Sequence, residues 1–168
     1  MGELKVGIIG SCGIARRHAR TYKDLPYVDV VGVCDIVPGK AQSFIDAEGL
    51  TGAKAFENLD DLLALGVDAV SVCTPNVAHH STSVAALNAG VHVLVEKPLA
   101  VTLDQAIDMT RAAKRAGKIL SVGFQPRYDP NTRVIKEIVQ SGELGTIYYV
   151  ETGGGRRRGM PRGTFIKK

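Results

Sequence analysis

The sequence predicts an α/β fold, a doubly wound parallel sheet with helices on both faces, over residues 1–123. Two observations carry this. Short β-branched apolar runs alternate along the chain with amphipathic segments of helical length. The runs are apolar throughout rather than alternating, as strands buried on both faces must be.

The elements follow in order. LKVGIIG (4–10) reads as a buried strand, Gly13 to Asp24 as a helix, and VDVVGVCD (28–35) as a second strand. Val37 to Gly49 reads as a helix beginning near Pro38, a residue suited to a first helical turn. KAF (54–56) is a short strand, and Asn58 caps the helix carrying Leu59, Leu62 and Leu63. DAVSVCT (68–74) is the next strand, followed by a helix from Val77 to Ala89 that Gly90 stops. VHVLVE (91–96) is a strand, Thr102 caps a helix to Ala116, and Gly117 ends it. KILSVGF (118–124) is a further strand, and a helix runs from Pro130 to Gln140 with Ser141 and Gly142 at its end. TIYYVET (146–152) reads as a last strand of another kind, aromatic and alternating.

That last strand has no partner in view, so residues 124–168 read as the incomplete start of a second α/β domain. The expectation is one dinucleotide-type domain at 1–123 and the beginning of a substrate and oligomerisation domain at 124–168, in a chain cut from a longer one.

Composition narrows the function classes. The 168 residues are 45% apolar and 23% charged, which excludes a disordered, collagenous or coiled-coil chain. No run approaches the roughly 20 apolar residues of a membrane helix. The N-terminus lacks a basic leader and a small-residue cleavage site, so the expected location is cytoplasmic. Net charge is +4, but six of the 21 Lys and Arg lie in 156–168 with no acid among them. The remaining 15 face 17 acidic residues, so the main body is slightly acidic and no nucleic-acid partner is expected. Cys12, Cys34 and Cys73 are too few and scattered for a disulfide framework or a metal site. Each adjoins an apolar run, and burial is the simple reading for Cys34 and Cys73.

The first strand runs into Gly10-Ser11-Cys12-Gly13-Ile14-Ala15. A strand, a small-residue turn and a helix start form an anion site, because the helix N-terminus offers free N–H groups and a partial positive charge. The dinucleotide pattern asks for glycine at the first and third positions and Gly or Ala at the sixth. Here these are Gly10, Cys12 and Ala15, so the third position departs, and an ordinary βα turn remains the alternative. Asp35 ends the second strand 25 residues after Gly10, near the spacing of a ribose-binding carboxylate. It favours NAD over NADP by repelling a 2′-phosphate, unless Lys40 reaches the ribose. The alternative is an aspartate capping the turn before Pro38.

Two clusters sit at the carboxyl ends of expected strands, where open α/β sheets bind ligands. Thr74-Pro75-Asn76 is followed by His79 and His80; Asn76 either meets a ligand or caps the next helix, and solvated histidines are the commoner case. Glu96-Lys97-Pro98 places a charged pair directly after a strongly apolar strand. A lysine at such a rim can donate to a substrate oxygen, and a structural ion pair is the competing reading.

Taken together, VGIIGSCGIA, the Cys34-Asp35 pair, CTPNVAHHSTSVAALNAGVHVLVEKPL, VGFQPRYDP and SGELGTIYYVE resemble the Gfo/Idh/MocA family of sugar and inositol dehydrogenases. The resemblance implies an N-terminal Rossmann domain and a C-terminal α/β domain with a large open sheet. It implies NAD as cofactor, a small-molecule sugar or polyol as substrate, and a homo-oligomer at full length. Gly10, Ser11, Cys12, Gly13 and Ile14 then cradle the pyrophosphate and Asp35 holds the ribose. Thr74, Pro75, Asn76 and His79 line the path to the nicotinamide, and Glu96 orients the cofactor. Lys97 is the catalytic lysine, and Arg127 faces the substrate. The family's Asp and His of the second domain fall beyond Lys168, so this chain is expected to turn over poorly alone. A non-catalytic nucleotide-binding regulator is the alternative in another class, with Lys97 favouring the enzyme. A third reading is a truncated product that self-associates through 146–152.

Overall fold

The computed structural model describes residues 4–154. They fall into two compact units that divide after Gly123. The first contains one six-stranded sheet. Its elements in chain order are β1 (Leu4–Ile9), α1 (Gly13–Lys23), β2 (Val28–Cys34), α2 (Lys40–Glu48), β3 (Lys54–Phe56), α3 (Leu59–Leu63), β4 (Ala69–Val72), α4 (His79–Asn88), β5 (His92–Val95), α5 (Leu103–Ala116) and β6 (Leu120–Val122). The strand order is β3-β2-β1-β4-β5-β6 and every pair is parallel. The expected doubly wound sheet is therefore present, with its order reversing between β1 and β4.

Both faces of the sheet are covered, which is why its strands are apolar without alternation. Ile8, Val30, Val33 and Cys73 pack on one face with Ala15, Ala19, Ala41, Phe44 and Ile45 of α1 and α2. Ile9, Cys34, Val72 and Val95 pack on the other with Leu62, Ala86, Leu87, Met109 and Ala112 of α3, α4 and α5. Neighbours such as Ile8 and Ile9 thus go to opposite cores. Two strand glycines admit α3: a Cβ on Gly32 would stand 2.5 Å from Leu62 Cδ1, and one on Gly7 3.1 Å from Leu62 Cδ2.

Capping follows the sequence reading. The Asn58 side chain accepts from the Asp60 N–H, and Thr102 from the Gln105 N–H. Gly117 ends α5 in the left-handed region. Three elements depart most from that reading. The helix expected from Val37 begins at Lys40, because Gly39 adopts φ 73° and the backbone turns before it can wind. The helix expected from Val77 starts as a 3-10 turn, Asn76–Ala78, and becomes regular at His79. In the second unit a 3-10 turn (Gln125–Tyr128) leads into α6 (Pro130–Ser141), with Asp129 accepting from the Asn131 and Thr132 N–H groups. The third difference follows there: the described part of TIYYVET is not a strand, and Tyr148 is 97% exposed. An isolated strand has no ladder to satisfy its backbone, and no partner exists for it among the described residues. The basic stretch 156–168 lies outside the described residues. Among the described residues no helix is long and apolar enough to cross a membrane.

Candidate functional site

The site begins where β1 turns into α1. Gly10 adopts φ 86°, and a Cβ there would stand 2.7 Å from the Cys73 carbonyl oxygen, so only glycine lets the turn lie against the end of β4. Its N–H donates to the Cys34 carbonyl at 2.7 Å, tying the turn to β2 as well. On the other side nothing lies within 4 Å of a Cβ built on Gly13. No side chain caps α1, and no acidic residue occupies its first turn. The N-terminal amides of an 11-residue helix therefore open onto the crevice at which the strand order reverses. Cys12, the departure from the glycine pattern, is exposed and its thiol donates to the Cys73 carbonyl at 3.0 Å. That bond folds the side chain back against β4.

Asp35 stands directly after β2, 6% exposed. Its Oδ2 accepts from the Ser11 hydroxyl at 2.6 Å, the Ser11 N–H at 3.0 Å and Lys40 Nζ at 2.8 Å. Its Oδ1 accepts from the Val37 N–H at 3.1 Å. Burial alone would raise this carboxyl; the donors from Lys40, Ser11 and Val37 overcome it and hold it at about 2. Asp35 is thus ionised, and it joins the glycine turn to the start of α2. The turn-capping reading and the ligand reading are compatible here, because Oδ1 carries a single donor.

The chain matches the family model described as an oxidoreductase family with an NAD-binding Rossmann fold, Gfo/Idh/MocA, over residues 4–124. It belongs to the Gfo/Idh/MocA oxidoreductase family. It is 38% identical over 168 residues to D-glucoside 3-dehydrogenase of Escherichia coli strain K12, covering 98% of this chain and 47% of that protein. It is 42% identical over 144 residues to the inositol 2-dehydrogenase/D-chiro-inositol 3-dehydrogenase of Lactiplantibacillus plantarum, covering 84% and 41%. The WlbA dehydrogenase of Bordetella pertussis, solved in complex with NADH and UDP-GlcNAcA, superposes with a TM-score of 0.81 at 31% identity over 88% of this chain and 42% of that one. The chain thus spans under half the length of these relatives.

Within this Gfo/Idh/MocA fold, the two remaining motifs meet through one side chain. His79 is 1% exposed, not solvated as its type led one to expect. Its Nδ1 stands 2.7 Å from the Pro98 carbonyl oxygen and its Nε2 3.0 Å from that of Thr74. A neutral ring donates to one of these and an imidazolium to both. His79 therefore braces the loops after β4 and β5 from beneath rather than lining their surface. Thr74 Oγ1 is buried and has no hydrogen-bond partner among the described residues, leaving a polar atom free for a ligand. Pro75 is exposed and Asn76 half-buried. The Lys97 to Pro98 bond is cis, and Lys97 is exposed at the rim beside buried Glu96.

A polar chain that the sequence reading missed runs under this rim. Glu96 Oε1 stands 3.0 Å from His18 Nε2, and His18 Nδ1 is 3.1 Å from Ser71 Oγ, which in turn bonds the Tyr22 hydroxyl. Glu96 Oε2 accepts the Lys97 N–H at 3.4 Å. Burial raises the Tyr22 hydroxyl above its ordinary value. Gly123 makes the space, since a Cβ there would stand 2.8 Å from Glu96 Oε1. Two signals for it existed: His18 and Tyr22 share a face of α1 at i,i+4, and Ser71 is a polar residue inside an apolar strand.

Arg127 lies in the second unit, its guanidinium 5.9 Å from the Phe124 ring centroid. Cys34 and Cys73 are buried as expected. Among the described residues no group of three His, Cys, Asp or Glu could hold a metal ion.

Proposed function

We propose that this chain is the cofactor-binding part of an NAD-dependent dehydrogenase acting on a secondary hydroxyl of a sugar, inositol or related polyol. One observation supports it most: the open α1 amides, ionised Asp35 and rim-exposed Lys97 all stand at the carboxyl ends of β1, β2 and β5 of one sheet. The relatives named dehydrogenases of glucosides and inositols support the substrate class.

The residues fit the cofactor. Gly10 to Ile14 receive the pyrophosphate on backbone N–H groups, and Asp35 accepts from a ribose hydroxyl at Oδ1, which holds a single donor. Thr74 Oγ1 offers its unused hydrogen-bonding capacity along the path to the nicotinamide. When bound, the nicotinamide supplies the hydride acceptor. The protein must then stabilise the charge developing on the carbinol oxygen and take its proton. The resemblance puts the base that takes the proton in the second domain; Lys97 is the catalytic residue that stabilises the charge, its ammonium donating to that oxygen. Glu96 positions it, accepting the Lys97 N–H while held by His18. Arg127 contacts substrate in this reading.

Titration of the chain with NADH, followed by nicotinamide fluorescence, is the first test. Saturable binding, tighter than for NADPH, is expected. Absence of binding would overturn the cofactor reading. Oxidation of glucosides or inositols that survives Lys97→Met unchanged would overturn the role of Lys97.

A further inference from the structure

We propose that Lys40 is a specificity-determining residue that admits a 2′-phosphate beside Asp35, so that the site takes NADP(H) as well as NAD(H), with NAD(H) preferred. The inference rests on the cofactor reading above.

A lone carboxylate after β2 excludes a 2′-phosphate by repulsion. Asp35 is not alone. Lys40 Nζ lies 2.8 Å from its Oδ2, and the Lys40 side chain is 46% exposed. The ammonium has three N–H donors and Asp35 uses one, so two remain for an incoming anion. Lys40 is held in place by its backbone: its N–H donates to the Val37 carbonyl at 3.1 Å, across a turn that Gly39 closes. The intervening residues, Ile36, Val37, Pro38 and Gly39, carry no charge. Ile36 is 87% exposed and Val37 49%, so the rim of this turn offers neither a second cation nor an acid to outweigh Lys40. Asp35 and Lys40 are thus the charged residues of this turn. Oδ1 holds only the Val37 N–H, so a ribose hydroxyl can donate to it without taking the acceptor that Lys40 uses. The same ammonium is then compatible with either ribose. It leaves the hydroxyl of NAD untouched and offsets the repulsion that Asp35 exerts on the phosphate of NADP.

The test is the ratio of dissociation constants for NADPH and NADH, measured on the full chain and its variants. The wild-type ratio is expected to stay within about ten-fold. Lys40→Gln should raise it by about ten-fold, with NADH affinity changed far less, and Lys40→Arg should leave it near the wild-type value. Added potassium chloride should weaken NADPH binding more steeply than NADH binding in the wild type, a readout that needs no variant. A ratio unmoved by Lys40→Gln, an equal loss for both nucleotides, or equal salt dependence would each overturn the role of Lys40. Those outcomes leave NADH binding by the wild-type chain intact and so differ from failure of the cofactor reading, in which wild-type chain binds neither.

Discussion

Cys12 and Asp35 show how far single residues decide this site. The Cys12 thiol is exposed, whereas Cys34 and Cys73 are buried and burial pushes both thiols up, Cys34 to about 11. Iodoacetamide at pH 8 should therefore label one cysteine of three, Cys12, as read by peptide mass spectrometry. Saturating NADH should slow that labelling. Cys12→Gly should tighten NADH binding by about three-fold, because it restores close backbone approach to a pyrophosphate. Unchanged affinity would show that the thiol, folded onto the Cys73 carbonyl, is already out of the way. Asp35 carries a pH prediction. Its carboxyl stands at about 2 in the fold against an ordinary 3.8, so the stability it contributes is fully present above pH 3.8 and is lost as pH falls through about 2. Ser11→Ala removes a donor, raises the folded value and should move the acid-unfolding limb seen by circular dichroism to higher pH. At this scale the sequence was informative about Gly10, Asp35 and Lys97, whose places follow from strand ends. It was misleading about His79, since burial of an imidazole depends on carbonyls 5 and 19 residues away.

Among the elements, α1 and the two loops beyond β4 and β5 matter most. Glu48 at the end of α2 is buried against α1, where Arg20 Nε stands 2.9 Å from its Oε2 and Lys23 Nζ donates to its backbone carbonyl at 2.9 Å. That clamp fixes the helix that begins with Lys40. Gly123→Ala should push on Glu96 and destabilise the fold by about 1–3 kcal/mol in urea unfolding. A silent Gly123→Ala would mean the carboxylate has somewhere else to go. His79→Leu keeps the volume but removes both carbonyl links, and about 1–3 kcal/mol of destabilisation is expected, with His79→Gln recovering part. Strand and helix identities were legible because their apolar periods are long and their caps (Asn58, Thr102, Gly117) are chemically specific. The start of α2 was not, because Pro38 suits a helix N-terminus while the left-handed Gly39 after it forbids one there. The polar chain from Glu96 to Tyr22 was hidden because its members come from α1, β4 and the end of β5, and only the parallel register brings them together.

For the molecule as a whole, the two units differ in how they are held. The first buries two cores against one sheet. In the second, α6 buries none of its residues, and Val134, Ile135, Ile138 and Val139 are all at least 40% exposed. Hydrogen exchange should therefore separate them, with amides of β1, β4 and β5 slowest and those of residues 130–150 fast. NADH at a hundred times its dissociation constant should stabilise the first unit by about 2.7 kcal/mol and leave exchange in the second unchanged. Equal protection in both would contradict that division. The fold class was readable from the sequence because a doubly wound sheet repeats one local rule. The aromatic stretch near Tyr148 follows no such rule: its alternation describes a strand, but a strand exists only where a neighbour pairs with it. The brace made by His79 has a further consequence for anyone grafting parts between such proteins. Thr74-Pro75-Asn76 and Glu96-Lys97-Pro98 look like interchangeable cassettes, yet one imidazole underpins both carbonyl turns. A chimaera that imports either loop must import the histidine and its helix with it, or it inherits a turn whose carbonyl has lost its partner.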